Sequence, residues 1–244
     1  MKPLEQHQLE IQRNKESRAA KPLIRKIYAD FYDRIVSELA RDIPGAIVEI
    51  GSGSGDLKAR VPEAISTDLF QNPWLDLVAD AYRLPFRDNS VSNLVLLDVF
   101  HHLARPIAFL HESRRVLAKD GRIIIFEPYI SLTSSLAYGC FHHEPIAWKE
   151  PIDLSPEAPE DQTYYAAQGN ATRLFFSTKP VPPKNLRSLK SVAFSDFRYL
   201  LSGGLSKPSL YPAFAYPALK ILDRALSFIP SFFGARCLVV LARS

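Results

Sequence analysis

Hydrophobic positions along the chain follow two patterns, a helical repeat near the start and a series of short apolar runs after it. Between residues 22 and 40, apolar side chains recur at every fourth position, which predicts an amphipathic helix. Five short apolar runs, typical of buried strands in a parallel sheet, follow at residues 46–50, 64–67, 75–79, 91–97 and 123–126. Helical spacing at residues 56–61 and 105–117 separates some of these runs.

The alternation of strands and helices predicts an α/β fold. We expect a Rossmann-like, doubly wound and mostly parallel seven-stranded sheet with helices on both faces. Residues 189–201 and 237–241, with a helix near 219–228, would complete it. The predicted organisation is one domain in four parts: an N-terminal helical cap (1–44), a ligand-binding core (45–130), a covering insertion (131–187) and a C-terminal sheet and helix (188–244).

Aromatic residues are frequent in the last third, and base rates predict that most of them belong to the core. They are Phe194, Phe197, Tyr199, Tyr211, Phe214 and Tyr216. Some of them could line a pocket instead.

Composition narrows the class of protein. The length of 244 residues suits one domain, and the net charge of +4 is dispersed, so no nucleic-acid partner is expected. The cysteines, Cys140 and Cys237, are too few for a disulfide framework, and the polar N-terminus lacks a signal-peptide core. These features predict a cytoplasmic protein. Residues 211–233 are apolar but carry charges and prolines, so they predict no transmembrane segment and leave peripheral membrane contact open.

A glycine-rich turn follows the first predicted strand. Gly51, Gly53 and Gly55 are spaced G-x-G-x-G, and Asp56 stands where a dinucleotide fingerprint has its third glycine. A carboxylate there would repel a pyrophosphate at a helix N-terminus. A ligand without phosphate fits better.

S-adenosylmethionine is such a ligand, and acids at two predicted strand ends suit it. Asp68 could accept from the ribose hydroxyls and Asp80 from the adenine amino group. At this point the chain resembles the class I S-adenosylmethionine-dependent methyltransferases, in particular their small-molecule, type 11-like branch. The resemblance spans about residues 48–128 and includes the segments 49–55, 80–86, 98–103 and 115–121. Asp120 departs from it, because the family usually has proline there.

The resemblance implies a set of cofactor-binding residues. Glu49 and the backbone of Gly51, Ser52 and Gly53 would hold the amino acid end, in the turn that Gly55 closes. Leu69 and Ala81 would lie near the adenosine, and an aromatic side chain of the N-terminal helix would close over the cofactor. The further cofactor-binding candidates are Asp98, Tyr28 and Tyr32.

Two histidines follow the fourth predicted strand. His101 or His102 could act as a base on a methyl acceptor, with Glu127 at the end of the neighbouring strand to orient it. The alternative is structural: one imidazole caps a helix or bonds buried backbone. His142, His143 and Glu144 are poorly spaced for a metal, so no metal is predicted.

The predicted function is S-adenosylmethionine-dependent methyl transfer to an unidentified, apolar small-molecule acceptor. A non-catalytic methyltransferase-like binding subunit is the first alternative. A nicotinamide-dependent oxidoreductase is the second, and Asp56 and Asp80 disfavour it. The sequence leaves the acceptor atom and the oligomeric state open.

Overall fold

The computed structural model describes residues 3–141, 146, 151–160, 165–166, 168–177 and 185–244. Within this part of the chain one seven-stranded sheet forms the centre of the molecule, with strand order β3-β2-β1-β4-β5-β7-β6. The strands are β1 (Ala46–Ile50), β2 (Ile65–Asp68), β3 (Leu77–Val78), β4 (Val91–Leu97), β5 (Leu117–Pro128), β6 (Leu186–Ser195) and β7 (Gly234–Arg243).

Strand direction confirms the predicted mostly parallel sheet. β3, β2, β1, β4 and β5 pair in parallel, whereas β7 runs antiparallel between β5 and β6. The start of β7 therefore lies beside the carboxyl end of β5. This is the sheet edge where ligands bind in doubly wound folds.

Helices cover both faces of this sheet. They are α1 (Pro3–Ala20), α2 (Pro22–Val36), α3 (Pro106–Val116), α4 (Leu132–Phe141), α5 (Asn170–Phe175), α6 (Phe197–Leu201), α7 (Tyr216–Leu226) and α8 (Pro230–Phe233). None of the helices in the described ranges is long and apolar enough to cross a membrane.

Alternate residues of the central strands bury against opposite layers. Val95 and Ile124 belong to the core that contains the buried face of α2. Leu94 and Ile123 belong to the other core, which contains Phe109 of α3. This period of two explains why β4 and β5 read as continuous apolar runs: both faces of each strand are buried.

Several predicted boundaries are corrected by the structure. The second helix ends at Val36, four residues before the predicted end, and residues 56–61 form only a 3-10 turn, Asp56–Ala59. The third strand is reduced to β3, and the fifth begins at Leu117, before its predicted start at residue 123. Residues 189–201 divide into the end of β6 and α6, because Asp196 interrupts the strand.

Phe214 is an exception among the aromatic residues of the last third. Phe214 is 86% exposed, whereas Tyr216, two residues later, is buried. Of the predicted covering insertion, α4 and α5 are described, and His142, His143 and Glu144 lie outside the described residues.

Candidate functional site

A cavity of about 1420 Å³ lies along the carboxyl ends of the central strands. Its volume exceeds the usual range for a single small ligand, about 300–1,000 Å³, so it has room for two. Among the described residues, those predicted for the site that line it are Tyr28, Tyr32, Glu49, Gly51, Ser52, Gly53, Asp68, Leu69, Asp80, Ala81, Asp98, His101 and His102. The described lining includes neither Gly55 nor Glu127.

The glycine-rich turn brings bare backbone to the cavity. Gly51, Gly53 and Gly55 have φ values of 62°, 53° and 71°, in the left-handed region that glycine adopts readily. A Cβ on Gly51 would lie 2.6 Å from a methyl of Val99, whereas a Cβ on Gly53 would meet no atom within 4 Å. The space over Gly53 therefore belongs to the cavity, and Gly51 is required for packing under the turn.

Glu49 places a buried carboxylate beside this turn. The Tyr32 hydroxyl donates to its Oε1 at 2.9 Å, while Oε2 is buried with no hydrogen-bond partner. Burial raises the pKa of Glu49 from 4.5 to about 8. A buried carboxylate oxygen without a donor is costly, so this site favours a ligand that carries a donor or a positive charge.

Two further acids lie at the ends of β2 and β3. Asp68 Oδ2 accepts from the Gly53 amide at 3.0 Å, which ties the end of β2 to the glycine-rich turn. Asp80 Oδ1 accepts from the Tyr82 amide at 2.9 Å. Leu69 and Ala81 line the cavity beside these acids and add apolar surface.

His101 and His102 form a short 3-10 turn, Phe100–His102, immediately after β4. Glu127 lies at the end of β5 next to them, and its Oε2 is 2.7 Å from His101 Nδ1. The amides of Val99 and Phe100 donate to Glu127 Oε1 at 2.7 and 2.6 Å. With its carboxylate held in this way, Glu127 accepts from the His101 ring, which leaves Nε2 as the basic ring nitrogen.

His102 has a different environment. Its Nδ1 lies 3.0 Å from the carbonyl of Tyr165, so Nδ1 carries the proton in that hydrogen bond. The two imidazole rings lie with centroids 4.1 Å apart and are tilted by 41° to each other. The structure thus brings both histidines to the cavity and pairs His101 with the carboxylate of Glu127.

Arg236 is a cavity residue that the sequence analysis missed. It is 1% exposed, forms an ion pair with Asp98, and its guanidinium lies 4.4 Å from the Tyr199 ring centre. Burial alone would lower the pKa of Arg236, but the Asp98 carboxylate raises it overall. No local motif marks this arginine, since it reaches the site only because β7 is antiparallel.

Helix α1 also contributes to the site, which the sequence analysis did not foresee. Ile11, Asn14 and Arg18 of this helix line the cavity. Arg18 forms an ion pair with Asp56, directly after the glycine-rich turn. The same guanidinium lies 5.0 Å from the ring centre of Tyr28, so α1 spans the turn and helix α2.

Comparison with known proteins agrees with this geometry. Residues 48–125 match the family model described as a methyltransferase domain. A demethylmenaquinone methyltransferase of Thermotoga maritima is 27% identical over 110 residues, which is 38% of this chain and 48% of that protein. The match therefore spans about half the length of that curated relative.

Solved structures share the fold. An S-adenosylmethionine-dependent methyltransferase of Thermotoga maritima, described as a possible histamine N-methyltransferase, superposes with a TM-score of 0.57 at 15% identity, over 91% of this chain and 92% of that one. A geranyl diphosphate C-methyltransferase of Streptomyces coelicolor A3(2), in complex with Mg²⁺, geranyl diphosphate and S-adenosyl-L-homocysteine, gives a TM-score of 0.54 at 10% identity, over 88% and 78% of the two chains.

The family match and the shared fold together describe what this chain resembles. Residues 48–125 match a methyltransferase domain, and the described chain has the fold of an S-adenosylmethionine-dependent methyltransferase. This agrees with the resemblance read from the sequence.

Proposed function

We propose that this chain binds S-adenosylmethionine and transfers its methyl group to an apolar small-molecule acceptor in the same cavity. The observation that carries the proposal is the carboxylate of Glu49, whose Oε2 is buried at the glycine-rich turn with no hydrogen-bond partner. The ammonium of the cofactor's amino acid end supplies the donor and the charge that this oxygen lacks.

The other cofactor groups match residues along the same wall. Asp68 and Asp80 line the cavity; Asp68 would accept from the ribose hydroxyls and Asp80 from the adenine amino group. The bare backbone at Gly53 allows close approach, because a Cβ there would enter open space. These contacts would orient the cofactor along the strand ends. We propose the same role for the remaining predicted residues that line this wall, which are Gly51, Ser52, Leu69 and Ala81.

Once bound, the cofactor would supply a methyl group already activated by its sulfonium. The chain's contribution is then mainly to hold the acceptor in line with that methyl and to exclude water. We propose that His101 accepts the acceptor's proton at Nε2. Glu127 would fix the ring through Nδ1 and stabilise the imidazolium that forms. The acceptor's electron pair forms the bond to the methyl carbon, and the electrons of the broken carbon–sulfur bond stay on sulfur.

An apolar acceptor is supported by apolar side chains in the cavity lining. Ala137, Tyr138, Leu200 and Leu205 are among them. Two proteins that this chain resembles are named for substrates with long hydrocarbon portions, demethylmenaquinone and geranyl diphosphate. Arg236 and Asp98 lie against the same cavity, so the acceptor would also meet a polar group.

Cofactor binding tests the proposal directly. We expect S-adenosylmethionine and S-adenosylhomocysteine to bind with micromolar affinity in calorimetry and to raise the melting temperature. NADH should do neither, since Asp56 stands where a dinucleotide fingerprint has its third glycine. Nicotinamide binding without any response to S-adenosylmethionine would overturn the proposal. Binding of the cofactor with no turnover across apolar acceptors would favour the non-catalytic subunit.

A further inference from the structure

Helix α7 packs against the molecule with its polar side. Asp223, 3% exposed, accepts from Arg198 Nε at 2.8 Å, the Phe197 amide at 2.7 Å and Ser195 Oγ at 3.0 Å. One turn earlier, Lys220 Nζ donates to Asp30 of α2 at 2.7 Å. Ordinary surface helices bury their apolar stripe and expose their polar one.

This inward polar face belongs to a buried network of hydrogen bonds and ion pairs. Tyr216 donates to Asp30 at 2.7 Å, and Arg198, itself 2% exposed, donates to the same carboxylate at 2.7 Å. Hydrogen bonds and ion pairs therefore attach α7 to α2, α6 and β6. This network fixes the orientation of α7. The apolar face of α7 therefore points outward.

The outward face of α7 is apolar. Exposed side chains recur at intervals of three and four residues, a helical stripe that runs from before α7 into α8: Phe214, Ala218, Ile221, Ala225, Phe228 and Phe232. Phe214, Ile221 and Phe228 are 86%, 67% and 88% exposed. A contiguous apolar stripe of this length marks an interaction surface.

Helix α4 extends this surface. It contacts α8, where Thr133 Oγ1 donates to the Phe232 carbonyl at 2.7 Å. Its outer residues Leu132 and Leu136 are 57% and 64% exposed, while Thr133 and Ala137 on its inner side line the cavity. The apolar surface thus borders the cavity.

The charges around the stripe indicate its occupant. Residues 197–235 contain a single acid, Asp223, and that carboxylate is turned inward. Lys207 and Arg224 are exposed on the same segment. Exposed aromatic and aliphatic side chains with only basic charges among them are the pattern of helices that lie in the interface of an anionic bilayer.

We propose that α7, with α4 and α8, docks this protein onto the surface of an anionic lipid bilayer. The helix lies in the headgroup region with Phe214, Ile221 and Phe228 inserted, and its inward polar network stays attached to the fold. Docking itself does not depend on the proposed methyl transfer. If that function holds, the bilayer becomes the source from which an apolar acceptor enters the adjacent cavity.

Vesicle co-sedimentation of the full chain tests the docking. The parent protein should bind mixed phosphatidylglycerol–phosphatidylcholine vesicles and bind pure phosphatidylcholine much less. The double variant Phe214→Ser and Phe228→Ser should lose at least about tenfold in partitioning, because each removes an inserted apolar side chain. Arg224→Glu should weaken binding to the anionic vesicles only.

A matched control removes exposed apolar side chains elsewhere. Leu189→Thr with Val192→Thr, on β6, should bind vesicles like the parent. Both altered phenylalanines are largely exposed, so the melting temperature of the double variant should not fall. Undiminished vesicle binding by the Phe214 and Phe228 variant, or no binding by the parent, overturns docking. So does sedimentation equilibrium showing a parent dimer that this variant dissociates without any vesicle binding, which would assign the stripe to a second copy.

Discussion

At the scale of single residues, two buried acids of the site, Glu49 and Glu127, differ in their hydrogen bonds. Glu49 is buried and its pKa is raised to about 8 by burial, while Glu127 is buried with three donors. Both are carboxylates at strand ends, yet the first lacks a partner on one oxygen and the second has partners on both. The first therefore suits binding a cation, and the second suits orienting a neighbour.

The pKa of Glu49 predicts a pH dependence of stability. The folded chain keeps a proton on Glu49 up to about pH 8, whereas the unfolded chain releases it near 4.5. The free energy of unfolding should therefore fall as pH rises from 4.5 through 8. Glu49→Gln removes this loss, so at pH 8 the variant should be more stable than the parent by over about 1 kcal/mol in denaturant unfolding.

The same variant should bind cofactor less well. An ammonium beside Glu49 favours the ionised form, so cofactor binding at pH 7 should release a proton. Calorimetry in buffers of different ionisation enthalpy measures that release, which Glu49→Gln should abolish. Asp68→Asn is the control: it should weaken binding and keep the proton release. Equal release by parent and Glu49→Gln would remove Glu49 from the site.

Catalysis at His101 is also testable at this scale. With any acceptor that supports turnover, His101→Gln should lower the rate about 100-fold or more and flatten the rise in rate with pH, with cofactor affinity unchanged. Glu127→Gln should weaken the same step because it disturbs the ring's orientation. His111, exposed on α3, supplies the matched control His111→Gln, which should retain full turnover. Full turnover in both His101→Gln and His102→Gln would leave positioning as the sole contribution.

At the scale of elements, α7 depends on a buried ionic network. Asp223→Ala would leave Arg198 buried with fewer acceptors, so we expect a loss of about 3 kcal/mol in the free energy of unfolding. Lys190→Ala, which removes a more exposed ion pair with Glu38, should cost less than about 1 kcal/mol. Denaturant unfolding measures both, and similar losses would mean that the network does not hold the helix.

The sequence predicts the bounds and the buried face of some helices and strands better than those of others. β1 and β4 have the predicted bounds, because strands buried on both faces read as unbroken apolar runs. The helix near residues 219–228 was also predicted. The spacing of apolar residues predicts that a helix has an apolar and a polar face, but it does not predict which face is buried. The inward face of α7 depends on Asp30 and Arg198, which are distant in sequence. Arg236 was missed for a similar reason, since strand direction has no local signature.

At the scale of the whole molecule, the cavity is closed by segments from both ends of the described chain. Helix α1 contributes Ile11 and Arg18, and β7 contributes Arg236. The central strands between them supply the acids and histidines. The cavity therefore requires the complete sheet and its N-terminal helix.

This arrangement predicts a response of α1 to cofactor. S-adenosylhomocysteine should slow amide hydrogen exchange in residues 11–18, because α1 lies over the glycine-rich turn through Arg18 and Asp56. Exchange in β6, at the far edge of the sheet, should change little. Protection confined to the turn, with α1 unaffected, would show that the helix does not take part in binding.

The place of β7 in the sheet has a consequence for synthesis on the ribosome. Because β7 lies between β5 and β6, neither strand has its neighbour until residues 234–243 have emerged. The nascent chain therefore carries one unpaired edge of β5 after residue 128 and the unpaired β6 after residue 195, until β7 emerges, a state that invites mispairing. Arg236 arrives with the same segment, so its part of the cavity wall forms only after β5 and β6 have been synthesised.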